Sequence, residues 1–185
     1  MSKKILPAFV TTILLFTLAG CATTETVDYE MDDPLNSMIF GYVDMEDAPT
    51  GLDWASLKQV QPASETPYWS FAVEDGAFFQ PYLREGAYQL AAFGGSSFLG
   101  GNNQYNFPEY GSDGIVVTRP GLYFVGAYRY VEVDTGWLEQ DKFDLEPIEG
   151  MSEIDVLRML LEHDDIKDSP NWQRRIEARI RALSK

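Results

Sequence analysis

The stretch GAFFQPYLREGAYQL, residues 76–90, decides the fold. It holds one short aromatic run, Ala77–Gln80, and the start of a second, Ala87–Phe93, with Glu85-Gly86 between them. Runs of this length, aromatic and bounded by turn residues, favour strands over helices. Just upstream, Tyr68–Val73 (YWSFAV) is followed by Glu74-Asp75-Gly76. Asp-Gly between apolar runs is what a type I′ turn requires, because both of its central residues take positive φ. The stretch therefore predicts two successive reversals of a β chain, at Asp75-Gly76 and at Glu85-Gly86.

The same pattern continues in both directions. Ser37–Asp44 (SMIFGYVD) and Trp54–Val60 (WASLKQV) predict strands on the N-terminal side. On the other side Ile115–Thr118 and Leu122–Val133 (LYFVGAYRYVEV) flank Arg119-Pro120-Gly121. A further hairpin around Asp134-Thr135-Gly136 would return Lys142–Leu145 alongside. Short aromatic and β-branched runs with frequent turns point to a sandwich or a small barrel. We expect a mainly β fold, an antiparallel β-sandwich spanning residues 37–148.

Residues 76–90 also fit a pattern of Gly-x-Phe followed by Leu-x-x-Gly-x-Tyr-x-Leu, at Gly76, Phe78, Leu83, Gly86, Tyr88 and Leu90. The segment resembles the central hairpin of transthyretin-like or carboxypeptidase-regulatory-like β-sandwich modules. Residues 117–125, VTRPGLYFV, echo its second half. The resemblance implies a transthyretin-like sandwich and a non-enzymatic role, since such modules are mostly binding or structural.

The apolar period changes near residue 149. Ser152 with Asp155 three residues later makes a capping box, and Ile154, Leu157, Leu160 and Leu161 share one helical face. Ser169-Pro170 opens a second helix, with proline at its first position. Trp172, Ile176, Ile180 and Leu183 recur along it at helical spacing. Residues 149–185 are thus expected to form a two-helix hairpin packed on the β domain.

The other end of the chain carries an address. Lys3 and Lys4 precede an apolar run from Ile5 to Leu18, and Ala19 and Gly20 are small. That is the layout of a secretory signal peptide over residues 1–20, too short and too interrupted for a spanning helix. Leu18-Ala19-Gly20-Cys21 resembles the lipobox of bacterial lipoproteins, and the whole chain resembles uncharacterised envelope lipoproteins of similar size. The resemblance implies cleavage before Cys21, acylation of its thiol and usually of its amino group, and a membrane partner reached through those chains. Ala22, in place of an aspartate, implies the outer membrane of a Gram-negative host. Two or three acyl chains, at about 0.8 kcal/mol per buried methylene, hold a protein on a bilayer essentially permanently. Residues 21–36, ATTETVDYEMDDPLN after the cysteine, are acidic and poor in core-forming side chains, so a lipidated, extended tether is expected there.

Without residues 1–20 the chain of 185 keeps 165 residues, 12 of its 14 basic side chains and all 29 acidic ones, a net charge of −17. One domain of this size can bury a substantial core. Such a charge repels nucleic acid, so no nucleic-acid partner is expected. Cys21 is the only cysteine, so stability must come from packing rather than from disulfides.

Three groups of residues are candidate sites. The stretch 94–114, GGSSFLGGNNQYNFPEYGSDG, is expected to be a long loop. Its Asn102, Asn103, Gln104 and Asn106 can bond hydroxyl groups, and Phe98, Tyr105, Phe107 and Tyr110 could stack on sugar rings. The last helix holds Arg174, Arg175, Arg179 and Arg181, which could contact phosphates or an acidic partner, or pair with the acidic body and the helix dipole. His163, the only histidine, is expected at a helix end rather than as a catalytic base. The acidic groups Asp44, Glu46, Asp47 and Asp164, Asp165, Asp168 lack the spacing of a calcium loop, so no metal and no cofactor is expected. No Gly-x-Ser-x-Gly elbow or free cysteine supplies a nucleophile. The leading expectation is a non-catalytic lipoprotein that binds or organises an envelope protein or a glycan. An enzyme acting on peptidoglycan or glycan, and an accessory subunit of an envelope assembly complex, stand as alternatives.

Overall fold

The computed structural model describes residues 30–64, 66–72, 74–96, 101–107, 114–133 and 142–185. The signal peptide, Cys21 and the tether up to residue 29 lie outside the described residues. The strands are β1 (Ser37–Asp44), β2 (Trp54–Gln61), β3 (Tyr68–Trp69), β4 (Phe71–Ala72), β5 (Ala77–Leu83), β6 (Gly86–Ser96), β7 (Asn102–Asn106), β8 (Ile115–Val117), β9 (Leu122–Val133) and β10 (Lys142–Pro147). The helices are α1 (Glu153–Leu161), α2 (Asp164–Lys167) and α3 (Pro170–Leu183). The protein is mainly β, with two sheets and a helical C-terminal segment.

Sheet A has the order β10-β9-β1-β5-β4, and sheet B the order β3-β2-β6-β7. β8 pairs with the first residues of β6 and β7 with its last, so both lie along the edge of β6 that β2 leaves free. The segment Tyr68–Ala72 passes from sheet B to sheet A at Ser70. Ser70 donates its N–H to the carbonyl of Ala55 (2.7 Å) and accepts the Ala55 N–H on its hydroxyl (2.8 Å), so one residue fills both ladder positions on β2. The Gln80 amide of β5 donates to the Trp69 carbonyl across the same corner.

The turn at Asp75-Gly76 has the expected conformation, with Asp75 at φ 72°, ψ 21° and Gly76 at φ 91°. It joins β4 to β5, which pair antiparallel. Gly76 is required twice over, since a Cβ there would also lie 2.3 Å from the carbonyl oxygen of Val43. The hairpin beyond it fails. β5 pairs with β1 and β4 in sheet A, whereas β6 pairs with β2, β7 and β8 in sheet B. Glu85-Gly86 therefore turns the chain from one sheet to the other. An apolar pattern fixes where strands start and stop, but it does not name the partner across a turn. The all-antiparallel expectation also fails at one pair, β1 with β9, which runs parallel. Residues 45–121 separate those two strands, so no tight turn imposes a reversal between them.

Sheet A is buried on both faces. Toward the helices it sends Met38 and Phe40 of β1 and Ala77 and Phe79 of β5, which pack with Val156, Leu157, Leu160, Ile166, Trp172 and Ile176. Toward sheet B it sends Ile39 and Val43 of β1 and Phe78 and Leu83 of β5, which pack with Ala55, Leu57, Tyr88, Phe93 and Val117. Strands buried on both sides need apolar residues in succession rather than in alternation. The runs Met-Ile-Phe in β1 and Ala-Phe-Phe in β5 have that form.

The helices start where the sequence places them. Ser152 and Asp155 exchange both bonds of a capping box, and the Ser152 hydroxyl and backbone N–H hold the Asp155 carboxyl below the usual range. The expected two-helix hairpin is corrected to three helices, because His163–Asp168 coils into the short α2. α3 has Pro170 at its first turn, yet Ser169 gives it no side-chain cap. The cap comes from far away, since Asp32 Oδ1 accepts the Asn171 N–H at 2.7 Å.

That bond belongs to a clamp, and it corrects the expected tether. The carbonyl of Met31 accepts the Trp172 indole N–H at 2.7 Å, and that of Asn36 accepts from Arg175 at 2.8 Å. Asp33 pairs with Arg84 at 2.6 Å, and the Leu35 N–H and this guanidinium lower its carboxyl below the usual range. Residues 30–36 are thus part of the folded body. Acidic composition suggested an extended segment, but here the acids serve as a cap and an ion-pair partner.

Candidate functional site

Sheet B turns one face to sheet A and the other to solvent, and strand alternation assigns its side chains. On β7 the Tyr105 ring stacks on Phe93 (5.3 Å between centroids) and meets Tyr130 and Phe143 of sheet A edge-on, each at 5.2 Å. Tyr105 therefore points inward, and Asn102, Gln104 and Asn106, all exposed, point outward. On β2, Ala55 and Leu57 belong to the two inter-sheet clusters, so Trp54 and Ser56 lie on the outer face. Register then sets two rows across the sheet. Trp54 stands opposite Gly94, which stands opposite Gln104. Ser56 stands opposite Ala92, which stands opposite Asn106, while Trp69 pairs with Ser56 from β3.

The middle of this face is made of small residues and its margins of large ones. Trp54 Cζ2 lies 3.0 Å from where a Cβ on Gly94 would be, so the indole fills the space that glycine leaves. Trp54 and Trp69 meet edge to face, 5.0 Å between centroids at 78°. Trp69 is 55% exposed. Across the sheet Gln104 bonds Asn106 at 3.4 Å, and Asn102 shares a bond with Ser96 at 3.3 Å. Asp53 braces this corner by accepting the Ser96 N–H at 2.7 Å. The result is an indole pair facing a row of carboxamides, uncharged apart from Asp53 at one corner and Lys58 farther along β2. Carboxamides donate and accept at once, and indoles offer an apolar face with one donor, which is the chemistry needed for a neutral ligand rich in hydroxyls.

Among the described residues of the expected loop 94–114, most are strand. Gly94–Ser96 close β6 and Asn102–Asn106 form β7. Asn and Gln are poor strand formers, so propensity hid an edge strand that pairing with β6 holds in place. Of the expected sugar-binding residues, Asn102, Gln104 and Asn106 lie on the outer face. Asn103 is half-buried and on the opposite side of the strand. Tyr105 and buried Phe107 pack on Phe93. Phe98 and Tyr110 lie outside the described residues. Trp54 and Trp69 were missed as a pair. The available signal was their phase, since Trp54 alternates with core residues Ala55 and Leu57.

The arginines of α3 separate into two kinds. Arg179 makes a two-bond pair with Glu153 of α1 (2.8 and 3.1 Å), and those bonds raise its already high pKa. Arg175 lies 4.1 Å over the Trp172 ring, and burial lowers its pKa. Among the described residues Arg174 reaches only Asn171 of its own helix, and Arg181 only Glu177, at 3.4 Å. His163 stands at the N-cap of α2, where Nδ1 accepts the Asp165 N–H at 3.3 Å, and its ring meets Phe79 edge-on at 5.0 Å. His163 thus stands at a helix end, as expected, where it caps the start of α2.

Asp44 pairs with Arg129 at 3.1 Å and Asp164 with Lys167 at 3.5 Å. Among the described residues no three His, Cys, Asp or Glu side chains converge as metal ligands. A second concavity, open and of about 1010 Å³, runs between Val60, Pro62, Glu85, Ala87, Val116 and Thr118. Its lining mixes apolar Val60, Pro62, Ala87, Val116 and Val117 with polar Gln61, Glu85 and Thr118. No protein-family model, no curated protein and no solved structure matches this chain.

Proposed function

We propose that this chain is a lipid-anchored, non-catalytic module of the bacterial outer membrane, held through acylated Cys21, that binds neutral glycan on the outer face of sheet B. The observation that carries the binding reading is the indole pair Trp54 and Trp69 across from Asn102, Gln104 and Asn106. The anchor rests on the lipobox-like Leu18-Ala19-Gly20-Cys21. The non-catalytic reading is supported by His163, whose ring and Nδ1 are both engaged in packing and capping. Two sheets that share buried clusters support a β-sandwich, and Gly76, Phe78, Leu83, Gly86, Tyr88 and Leu90 support a transthyretin-like relation.

Two measurements test this reading. Cys21→Ser should release the protein from membranes, and unchanged detergent partitioning refutes the anchor. The acylated protein should be retained by insoluble peptidoglycan or by neutral polysaccharide beads. Trp69→Ala and Gln104→Ala should each weaken retention while the melting temperature holds. Equal retention by both variants refutes the site. Turnover of the glycan, read as released reducing ends, would favour an enzyme instead.

A further inference from the structure

α3 has an outer side as well as a packed one. Trp172, Ile176 and Ile180 face the helical core. Arg174, Ala178 and Arg181 are exposed and follow at intervals of four and three residues, which places them on the opposite side, and exposed Lys185 follows just past the helix end. These positions carry three cations, and among the described residues Glu177 alone pairs with one of them, Arg181. The charge of the body is divided the same way. Residues 151–185 hold seven basic and seven acidic side chains, whereas residues 21–150 hold five and twenty-two. An anionic surface would therefore repel the sheets and tolerate the helical layer.

The clamp adds a second constraint. Met31 and Asp32 are fastened to Trp172 and Asn171, so the N-terminal segment meets the body at the first turn of α3. Residues 21–29, between that point and the cysteine, can span at most about 30 Å when fully stretched. That reach keeps the body at the bilayer but allows it several orientations, and the distribution of charge selects among them.

We propose that, with Cys21 acylated, Arg174 and Arg181 on the outer side of α3 and Lys185 just past its end rest on anionic phospholipid headgroups, so that the outer face of sheet B points away from the bilayer. This rests on the lipid-anchor reading above. Each cation near such a surface contributes modestly, and the anchor supplies the high local concentration that makes three of them sufficient. The carboxamide and indole face is then presented to whatever lies beyond the membrane surface.

The test uses the full acylated chain. Because Cys21 is blocked by lipid, Ala178→Cys or Gln104→Cys supplies the single free thiol for a fluorophore. Each protein is reconstituted into vesicles of three parts phosphatidylethanolamine to one part phosphatidylglycerol, with a headgroup-attached quencher. The expected result is several-fold stronger quenching at position 178 than at 104. The difference should disappear at about 1 M salt, where the Debye length falls to about 3 Å. It should also disappear in the triple variant R174E/R181E/K185E, whose fold is checked by circular dichroism. Equal quenching at the two positions, or a difference that ignores both salt and charge reversal, overturns the orientation. Protein that washes off the vesicles and shows no acyl mass at Cys21 overturns the anchor and this inference together, an outcome distinguishable from the first.

Discussion

Asp32→Ala should destabilise the protein although Asp32 lies in a segment whose composition suggests a free tether. Its carboxylate accepts the Asn171 N–H at 2.7 Å and stands at the positive end of α3, a helix whose own N-cap residue, Ser169, makes no side-chain bond. Loss of a helix N-cap costs about 1 kcal/mol, and loss of a charge at that end about 0.5 kcal/mol more. The total of about 1.5 kcal/mol corresponds to about 3–6 °C in melting temperature for a chain of this size. Asp32→Asn keeps the acceptor and should recover most of that loss. Ser169→Ala, the change that local sequence marks as the damaging one, should stay within about 0.5 kcal/mol. Urea melts of the three variants, followed by tryptophan fluorescence, decide the matter. If Ser169→Ala costs as much as Asp32→Ala, or if Asp32→Ala is silent, the clamp does not cap α3. Truncation gives the companion result. Removing residues 22–29 should leave the melt unchanged, whereas extending the deletion through Asn36 also strips the Trp172 indole of its acceptor, worth about 1–3 kcal/mol for a buried group.

Trp172→Ala should cost at least about 3–5 kcal/mol, since the fully buried ring fills the helical core and also loses the Met31 carbonyl, measured by the same urea melts. A negligible effect would contradict its placement in that core. Gly76→Ala should cost at least about 1–2 kcal/mol from the left-handed backbone alone, with the close approach of the Val43 carbonyl adding to it. A neutral result in a thermal melt would mean that the turn differs from the one described. Asp155 has its carboxyl lowered from an ordinary 3.8 by Ser152, so its contribution to stability is complete above that value and fades as pH falls below it. Asp155→Asn should therefore be less stable than the parent at pH 7, and the gap should narrow by pH 3. A gap that stays constant across that range would remove Asp155 as the titrating cap.

The legible parts of this fold are those governed by neighbours in sequence. Asp75-Gly76 demanded positive φ and has it. The capping box and Pro170 placed two helix starts, because a cap involves residues three apart. Pairing between distant segments was not legible. Glu85-Gly86 carries the same turn signal whether the next strand returns to β5 or crosses to the other sheet, and nothing local distinguishes the two. Met31, Asp32 and Asn36 act through bonds to residues more than 130 positions away, two of the three through backbone carbonyls that any residue possesses.

The candidate site was partly legible for the same reason. Composition alone found the carboxamides of 102–106, but only pairing with β6 sorts Asn102 and Gln104 outward and Tyr105 inward. Trp54 and Trp69 come together because β3 pairs with β2 and the Ser70 bonds carry that pairing to Ala55, the residue next to Trp54. The corner that ties sheet A to sheet B is thus also what delivers the second indole to the outer face. A substitution that loosened it, such as Ser70→Ala, would disturb the proposed binding face and the closure of the fold together, whereas Trp69→Ala removes the ring and leaves the backbone corner bonded. That difference makes Trp69 rather than Ser70 the position at which binding can be separated from folding.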